Sequence, residues 1–393
     1  MQRETSFFLQ VLADYLNGRV TKVPENLEWE ILEKVGQAQQ LTGIIYHQCK
    51  NSIAQSSLPE KSKMKWKLSY VYNSFQYSKR LALLKQIGKE FQKEGIPYLI
   101  FKGTEVAKFY PVPAQRTMGD IDLLVHEEDK QKACDVLCRL GFEVNTGSPI
   151  EWFASKGDMK IELHHRLIYA HSFELKIIQA WGDKVWGNTV FQNDTVQGKL
   201  DLTYHLVYVL LHLRKHMLEQ GVGFRQFMDV AVLALQPGIN WKQAEFWFRE
   251  LDLIKFSQVC FDFCQRWFDI QIPVGVFKLT EDFYNESTDK ILAGGVFGAN
   301  DEEYKENAVF NEVHFAKSSS TTGFLKWAFL PYEEMRARYY CKFLNGRPYL
   351  LPVAWCWRLV YRIYTGNLVP LLKGAFANET IKKKEGRLSK WGL

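Results

Sequence analysis

The first 95 residues repeat apolar side chains at the spacing of amphipathic helices. The apolar positions of the first two repeats are Phe7, Phe8, Val11, Leu12 and Tyr15, then Ile31, Val35, Ala38, Leu41 and Ile44. Residues 61–93 continue this pattern and predict one or two long helices. The side chains that we expect to face mostly inward there are Tyr70, Tyr72, Phe75, Leu81, Leu84 and Ile87. Gly95 and Pro97 then predict the end of the helix and the start of a strand.

Between residues 96 and 195 the pattern changes to short apolar runs separated by turn residues. The predicted elements are strands at 98–101, 120–125, 142–145 and 161–164, and helices at 104–109 and 128–140. Short strands that alternate with helices indicate a small mixed sheet. Neither G-x-G-x-x-G nor G-x-x-x-x-G-K-[ST] occurs near them, which argues against a Rossmann or P-loop nucleotide site.

Helical periodicity returns near Leu200, with loops at 295–322 and a basic, frayed tail at 381–384. The chain therefore predicts an α+β fold. We expect an N-terminal helical region at 1–95, a small mixed-sheet core at 96–195 and a mostly helical C-terminal region at 196–393. The apolar stretch at 349–360 is short and carries Arg358, so we expect no transmembrane segment.

The composition indicates a folded globular protein with reduced cysteines. The 393 residues are 47% hydrophobic and 15% aromatic, which is typical of a folded globular protein. A formal charge of +6 suits a phosphate-bearing substrate but is too small to indicate a nucleic-acid-binding surface. The seven cysteines are odd in number and contain no C-x-x-C pair, and no secretory signal follows Met1. We therefore expect reduced thiols and a cytoplasmic protein.

Two acidic residues open the second predicted strand. Asp120 and Asp122 are two residues apart, so their side chains point to the same face of a strand while Ile121 points into the sheet. Two adjacent carboxylates stay ionised at low cost only when a cation lies between them. Mg²⁺ is usually held by one or two carboxylates together with substrate phosphates. Glu162 supplies a third acid if its strand pairs with this one, and three acids suffice for two metal ions that clamp a phosphoryl transfer.

These motifs resemble those of the nucleotidyltransferase superfamily that includes DNA polymerase beta and the antibiotic nucleotidyltransferases. The residues that carry the resemblance are Phe101-Lys102-Gly103-Thr104, Tyr110-Pro111, Arg116, Gly119-Asp120-Ile121-Asp122-Leu123-Leu124-Val125 and Ile161-Glu162-Leu163-His164. The pattern is similar to that of the uncharacterised bacterial nucleotidyltransferase branch, and weaker similarity continues at residues 223–229 and 331–336. The middle region would then be the nucleotidyltransferase core.

The resemblance implies an enzyme that transfers a nucleoside monophosphate from an NTP, which we expect to be ATP, to an acceptor. The cofactor would be Mg²⁺ (or Mn²⁺), and its catalytic ligands would be Asp120, Asp122 and Glu162. The acceptor is not identified by the sequence and could be a small molecule, a sugar, a peptide or a protein hydroxyl.

The residues that we expect to bind the nucleotide are Lys102, Gly103, Thr104, Arg116 and Arg225. The superfamily turn usually reads Gly-Gly or Gly-Ser, whereas this chain reads Lys102-Gly103-Thr104. Gly103 still permits close approach of the backbone to a triphosphate, and Thr104 can replace the serine hydroxyl. Lys102 is either a further phosphate contact or a solvated lysine at the end of a strand.

Several histidines and arginines have a functional and a structural interpretation. His164 shares a strand face with Glu162 and could contact a metal, the acceptor or a phosphate, or it could be a half-buried structural histidine. Arg116 could neutralise a triphosphate or lie at the surface. Arg225 could reach the nucleotide with Asp229 holding it, or the two could form a structural ion pair. His205, His212 and His216 lie along one helical face without the H-E-x-x-H glutamate, so we expect no zinc site.

Two other functions remain open at this level. A glycosyltransferase also uses D-x-D with a metal and a nucleotide sugar, but it would need neither Lys102-Gly103-Thr104 nor Glu162. A nucleotide-binding or interaction protein without catalysis would tolerate loss of the acids, yet all three are present.

Overall fold

A computed structural model describes residues 3–147, 151–168, 175–192, 194–219, 221–275, 277–297, 329–336, 339–364, 386 and 388–393. Four helices precede the first strand: α1 (Arg3–Leu16), α2 (Trp29–Ala38), α3 (Thr42–Gln55) and α4 (Glu60–Glu94). Helix α4 is one continuous helix of 35 residues, and it ends at Gly95, whose φ of 64° is left-handed.

Part of α4 faces solvent. Leu84 and Ile87 are buried as predicted, but Tyr72, Phe75 and Leu81 are 59%, 61% and 39% exposed. The prediction that these three side chains face inward is wrong. Helical spacing identifies an apolar stripe, but it does not say whether another element packs against it.

A seven-stranded mixed sheet follows α4. Its region contains, in chain order, β1 (Tyr98–Phe101), α5 (Gly103–Ala107), β2 (Ile121–Val125), α6 (Lys130–Arg139), β3 (Glu143–Asn145), β4 (Glu151–Lys156), β5 (Met159–His164), α7 (Leu175–Gly182), β6 (Thr189–Phe191) and β7 (Gln197–Leu200). The spatial order of the strands is β3-β4-β5-β2-β1-β7-β6. Strand β2 is parallel to β5, β1 is parallel to β7, and the other neighbours are antiparallel.

The C-terminal part is helical. Its helices are α8 (Leu202–Glu219), α9 (Phe224–Ala234), α10 (Trp241–Glu250), α11 (Ile254–Phe268), α12 (Glu281–Gly294), α13 (Tyr332–Arg336) and α14 (Leu351–Tyr364). Helices from both ends of the chain meet, because α1 packs against α11 and the Asn17 side-chain amide donates to the Phe268 carbonyl at 2.8 Å. Among the described helices, none combines the length and apolarity needed to cross a membrane.

The two faces of the sheet carry different cores. Ile121 and Leu123 of β2 share a buried cluster with the inner sides of α4 and α6. Leu124 of β2 and Phe101 of β1 point to the opposite face and share a second cluster with residues of α8. Since side chains alternate along a strand, Asp122 lies on this second face. The sheet therefore presents Asp122 towards α8.

The α+β fold and the mixed sheet flanked by helices are confirmed. Strands β4, β6 and β7 were not predicted, and β7 extends the sheet beyond residue 195. The three regional limits stay predictions. The tail at 381–384 and most of the loop region at 295–322 lie outside the described residues.

Candidate active site

Parallel pairing of β2 and β5 builds a cluster of potential metal ligands. Asp122 lies opposite Glu162 in the register, and His164 follows two residues later on the same face of β5. One potential ligand atom from each of these three residues lies within 4.8 Å of the other two. The apolar residues around them in sequence, Ile121, Leu123, Ile161 and Leu163, anchor both strands in the opposite core. The alternation of the strands thus brings two carboxylates and an imidazole together.

His164 lies among three carboxylates. Its Nε2 atom is 3.2 Å from Asp122 Oδ1 and 3.3 Å from Glu162 Oε2, and its Nδ1 atom is 3.4 Å from Glu151 Oε2. Burial alone would lower the pKa of His164, but the contacts with Asp122 and Glu162 outweigh it and raise the pKa. His164 is therefore held by hydrogen bonds between the carboxylates of the two strands.

Lys102 provides a counter-ion to Asp122. Its Nζ atom donates to Asp122 Oδ1 at 2.7 Å, and both side chains are largely buried. Burial opposes ionisation of Asp122, but Lys102 and then His164 hold the pKa of that carboxyl well below its ordinary value. The pKa of Lys102 is raised, since Asp122 more than compensates for its burial. Asp122 is thus a permanently ionised carboxylate, and Lys102 is not the solvated lysine that one interpretation expected.

The backbone of Lys102 is held in an unfavourable conformation. Its φ is 54°, a region that favours glycine and is costly for other residues. The Lys102 N–H donates to Nε2 of His205 on α8 at 3.3 Å. Burial lowers the pKa of His205 to about 4, so its imidazole stays neutral and can accept this hydrogen bond. His205 thereby fixes the turn that carries Lys102.

Gly103 and Thr104 lie directly behind this turn and are tightly packed. A Cβ atom on Gly103 would lie 3.1 Å from Arg116 Nη1, so a larger residue would crowd the Arg116 guanidinium. The buried Thr104 hydroxyl donates to the sulfur of Met118 at 3.6 Å. The two residues join the turn to the loop before β2, and their phosphate contacts stay a prediction.

Arg116 forms a buried ion pair instead of lying at the surface. Its Nε and Nη2 atoms donate to the two carboxylate oxygens of Asp229 at 2.8 and 2.7 Å. The Tyr110 hydroxyl donates to the same carboxylate at 2.7 Å. Arg116 thus ties the loop before β2 to helix α9, and a direct contact with the nucleotide stays a prediction.

The prediction that Arg225 pairs with Asp229 is wrong, because Asp229 forms its ion pair with Arg116. Arg225 instead donates from Nη1 to the Thr117 carbonyl and to Gln40 Oε1, both at 3.2 Å. Its Nε atom is buried and has no hydrogen-bond partner among the described residues. Arg225 therefore positions the loop, and its binding of the nucleotide stays a prediction.

Asp120 lies one residue before β2 and is partly exposed. It is outside the group formed by Asp122, Glu162 and His164. Arg80 of α4 donates to the carbonyls of Met118 and Gly119 at 2.9 and 3.0 Å, which fixes the backbone leading to Asp120. Ligation of a metal by Asp120 stays a prediction.

Sequence reasoning placed His205 and His212 on one helical face but did not predict that this face lies beside the acids, and it missed Tyr208 of α8 and Glu151 of β4. His205, Tyr208 and His212 follow one another at spacings of three and four residues, which places them on one face of α8. The Tyr208 ring lies 5.6 Å from Phe101 and 6.1 Å from His212, and His212 Nε2 is 2.7 Å from His216 Nε2. The helical spacing was visible in the sequence. Glu151 had no such signal, because β4 was not predicted.

Comparison with known proteins supports the same interpretation. A family model described as "Uncharacterised nucleotidyltransferase" matches residues 25–269, which include the whole sheet and the helices from α2 to α11. No curated protein and no solved structure matches the chain.

Proposed function

The chain belongs to this uncharacterised nucleotidyltransferase family, and on that basis we propose that it transfers a nucleoside monophosphate from an NTP to an acceptor hydroxyl. ATP is the expected donor. One observation carries the proposal: Asp122, Glu162 and His164 converge on one face of the sheet, beside the turn at residues 102–104. A D-x-D motif alone would not bring a second strand into the site.

The side chains fit a divalent cation. Two carboxylates and one imidazole offer ligand atoms within 4.8 Å of one another. Carboxylate oxygens suit Mg²⁺, and an added imidazole also suits Mn²⁺. When bound, such an ion would offset the charge of the phosphates and polarise the α-phosphate. Asp122 and Glu162 would hold it, with Asp120 as a proposed further ligand.

Lys102 has a second proposed role when the nucleotide binds. Its ammonium neutralises Asp122 in the present structure. Phosphate oxygens of an NTP offer the same ammonium an acceptor of greater charge. Lys102 would then donate to the phosphates, and Asp122 would be released for the cation. The left-handed backbone that His205 holds keeps this side chain at the site throughout.

Glu162 is the proposed acceptor of the proton. The acceptor oxygen forms a bond to the α-phosphorus, while the bond from that phosphorus to the bridging oxygen of pyrophosphate breaks. The proton of the acceptor hydroxyl passes to Glu162, and pyrophosphate leaves with the electron pair of the broken bond. The Nε2 atom of His164, which lies 3.2 Å from Asp122 Oδ1 and 3.3 Å from Glu162 Oε2, keeps the two carboxylates close together.

The test is isothermal titration of the full chain with ATP, GTP, CTP and UTP, with and without Mg²⁺. The variant is Asp122→Asn, which keeps the shape of the side chain and removes its charge. Its matched control is Asp135→Asn, because Asp135 is exposed on α6 and remote from the site. We expect Mg²⁺-dependent binding of one NTP, weakened by about tenfold or more in Asp122→Asn and unchanged in the control.

The opposite result is equally clear. If circular dichroism shows folded wild-type protein and no NTP binds with or without Mg²⁺, nucleotidyl transfer is contradicted. If an NTP binds equally well to wild type and to Asp122→Asn, the site assigned here is wrong. Asp120→Asn, measured beside them, decides whether Asp120 belongs to the metal ligands.

A further inference from the structure

A polar cavity of about 360 Å³ lies beside the candidate active site. Its walls come from helices α2 to α4, from the loop at residues 116–118 and from the turn before β5. Among the described residues that line it, every side chain except Met118 carries a nitrogen or an oxygen atom. A cavity of this size and polarity suits a small ligand that forms several hydrogen bonds.

The wall carries a buried positive charge. Arg80 is 6% exposed and donates to two backbone carbonyls. The negative charges of Asp158 and Asp120 act on it, but no carboxylate of the described residues lies within ion-pair distance of its guanidinium. The other charges of the wall are already compensated, since Arg116 is paired with Asp229 and Asp158 with Lys79. Burying a guanidinium without a paired carboxylate costs free energy, and a bound anion would lower that cost. The cavity therefore favours an anionic ligand.

The wall also carries a free hydrogen-bond acceptor. The Gln76 amide nitrogen donates to Asp158 Oδ2 at 2.8 Å and to the Tyr72 hydroxyl at 3.0 Å. These contacts fix the amide, and they leave its Oε1 atom buried with no hydrogen-bond partner among the described residues. A buried acceptor without a partner costs free energy, which a hydroxyl of a ligand would recover once a small rotation of the Gln76 side chain exposes that atom to the cavity. Arg80 and Gln76 together specify an anion that also carries a hydroxyl.

The cavity is continuous with the nucleotide turn. Met118, which lines it, accepts a hydrogen bond from Thr104. Arg116, which also lines it, packs against Gly103. Arg80 holds the two carbonyls that lead into Asp120. A ligand in this cavity would thus lie next to the residues proposed to bind the phosphates.

We propose that this cavity binds the acceptor substrate, and that the acceptor is a small anion with at least two hydroxyl groups. Its phosphate or carboxylate pairs with Arg80, one hydroxyl donates to Gln76, and another is the hydroxyl that reacts. This inference rests on the proposed nucleotidyl transfer. Among the acceptors that the sequence left open it specifies a small molecule, because the anionic group and the hydroxyl that pair with Arg80 and Gln76 both fit within about 360 Å³.

The test uses three probes on the full chain: glycerol 3-phosphate, glycerate and inorganic phosphate. Each is titrated calorimetrically into wild type, Arg80→Gln, Asn73→Asp and Arg249→Gln. Asn73→Asp keeps the shape of a lining side chain and adds a negative charge to the wall. Arg249→Gln removes one positive charge from the exposed side of α10 and controls for net charge.

We expect glycerol 3-phosphate or glycerate to bind wild type and Arg249→Gln more tightly than inorganic phosphate does, because only these two probes carry an alcohol hydroxyl that can reach Gln76 while the anionic group contacts Arg80. Their affinity should fall about 10- to 100-fold in both cavity variants. The affinity of Asn73→Asp for ATP with Mg²⁺ should stay within about twofold of wild type. Which probe binds more tightly shows whether the anionic group is a phosphate or a carboxylate.

Three results would overturn the assignment. The first is that no probe binds folded wild type, and the second is that neither cavity variant changes binding. The third is that ATP competes with glycerol 3-phosphate and loses affinity in Arg80→Gln, because the cavity would then hold the phosphates of the nucleotide. If the probes bind through Arg80 but no NTP binds, nucleotidyl transfer is contradicted while the anion-binding cavity is supported.

Discussion

Replacing Asp229 with asparagine should strongly destabilise the protein. The two side chains of the Arg116–Asp229 pair are only 8% and 10% exposed, and Asp229 accepts two hydrogen bonds from Arg116 and one from Tyr110. Asp229→Asn keeps the volume but leaves the Arg116 guanidinium buried without a counter-ion. Breaking one partner of a buried pair costs about 3–5 kcal/mol. We expect a loss within this range, because solvent cannot reach the guanidinium to compensate.

The loss is measured by urea denaturation followed through tryptophan fluorescence. A double-mutant cycle with Arg116→Gln isolates the pair, and we expect a coupling free energy of about 2 kcal/mol or more. Asp135→Asn, on the exposed side of α6, serves as the control and should change the free energy of unfolding by less than about 0.5 kcal/mol. A loss below about 1 kcal/mol in Asp229→Asn would refute the claim that this ion pair holds the loop on α9.

Three further predictions follow from the turn at Lys102 and from one close contact. Burial lowers the pKa of His205 from 6.5 to about 4, so between these pH values the unfolded chain binds more protons than the folded protein. The free energy of unfolding should therefore fall by up to about 3 kcal/mol as the pH drops from 6.5 to 4. In His205→Gln the pH dependence of urea denaturation should flatten, and an unchanged dependence would contradict this prediction. Lys102→Met removes the ammonium that competes with a metal ion for Asp122. The affinity for Mn²⁺ without nucleotide, measured by electron paramagnetic resonance, should therefore rise about tenfold, while the affinity for ATP falls. A lower affinity for Mn²⁺ would show that Lys102 does not compete with the metal ion. A Cβ atom on Gly223 would lie 2.7 Å from the Val296 Cα atom. Gly223→Ala should therefore lower the free energy of unfolding, measured by urea denaturation, by about 1–3 kcal/mol. A free energy of unfolding equal to that of wild type within error would rule out this contact.

The central part of the fold follows from local sequence patterns. Strands β1, β2 and β5 are short apolar runs bounded by turn residues, and a period of two places Asp122 on the face opposite Ile121. The same period places Glu162 and His164 on one face of β5. These features depend only on the alternation of side chains, so the sequence alone predicts them.

The remaining features depend on contacts that are distant in sequence. Strand β4 has weak alternation, since Phe153 is 43% exposed, and β7 contains Gly198, which is usually rare in strands. The spacing of four residues suggested a pair between Arg225 and Asp229, but Arg116 reaches Asp229 from 113 residues away. A local rule cannot rank a neighbour on the same helix against a competitor that only the folded chain brings near.

The contact between α1 and α11 sets a constraint on the order in which the chain folds during synthesis. Asn17 and its partner Phe268 are 251 residues apart, so at about 5–20 residues per second the ribosome needs roughly 10–50 s to supply the partner. During this time α1, which buries Phe7, Phe8 and Leu12 in the finished protein, can pack against α2 and α3 but not against α11. The parallel strands β1 and β7 are separated by about 100 residues of sequence, so β1 cannot pair with β7 until these residues have been synthesised. Pairings between residues that are distant in sequence form slowly. The growing chain therefore exposes part of an apolar N-terminal helix until residue 268 is made, and we expect it to depend on chaperones in the cell.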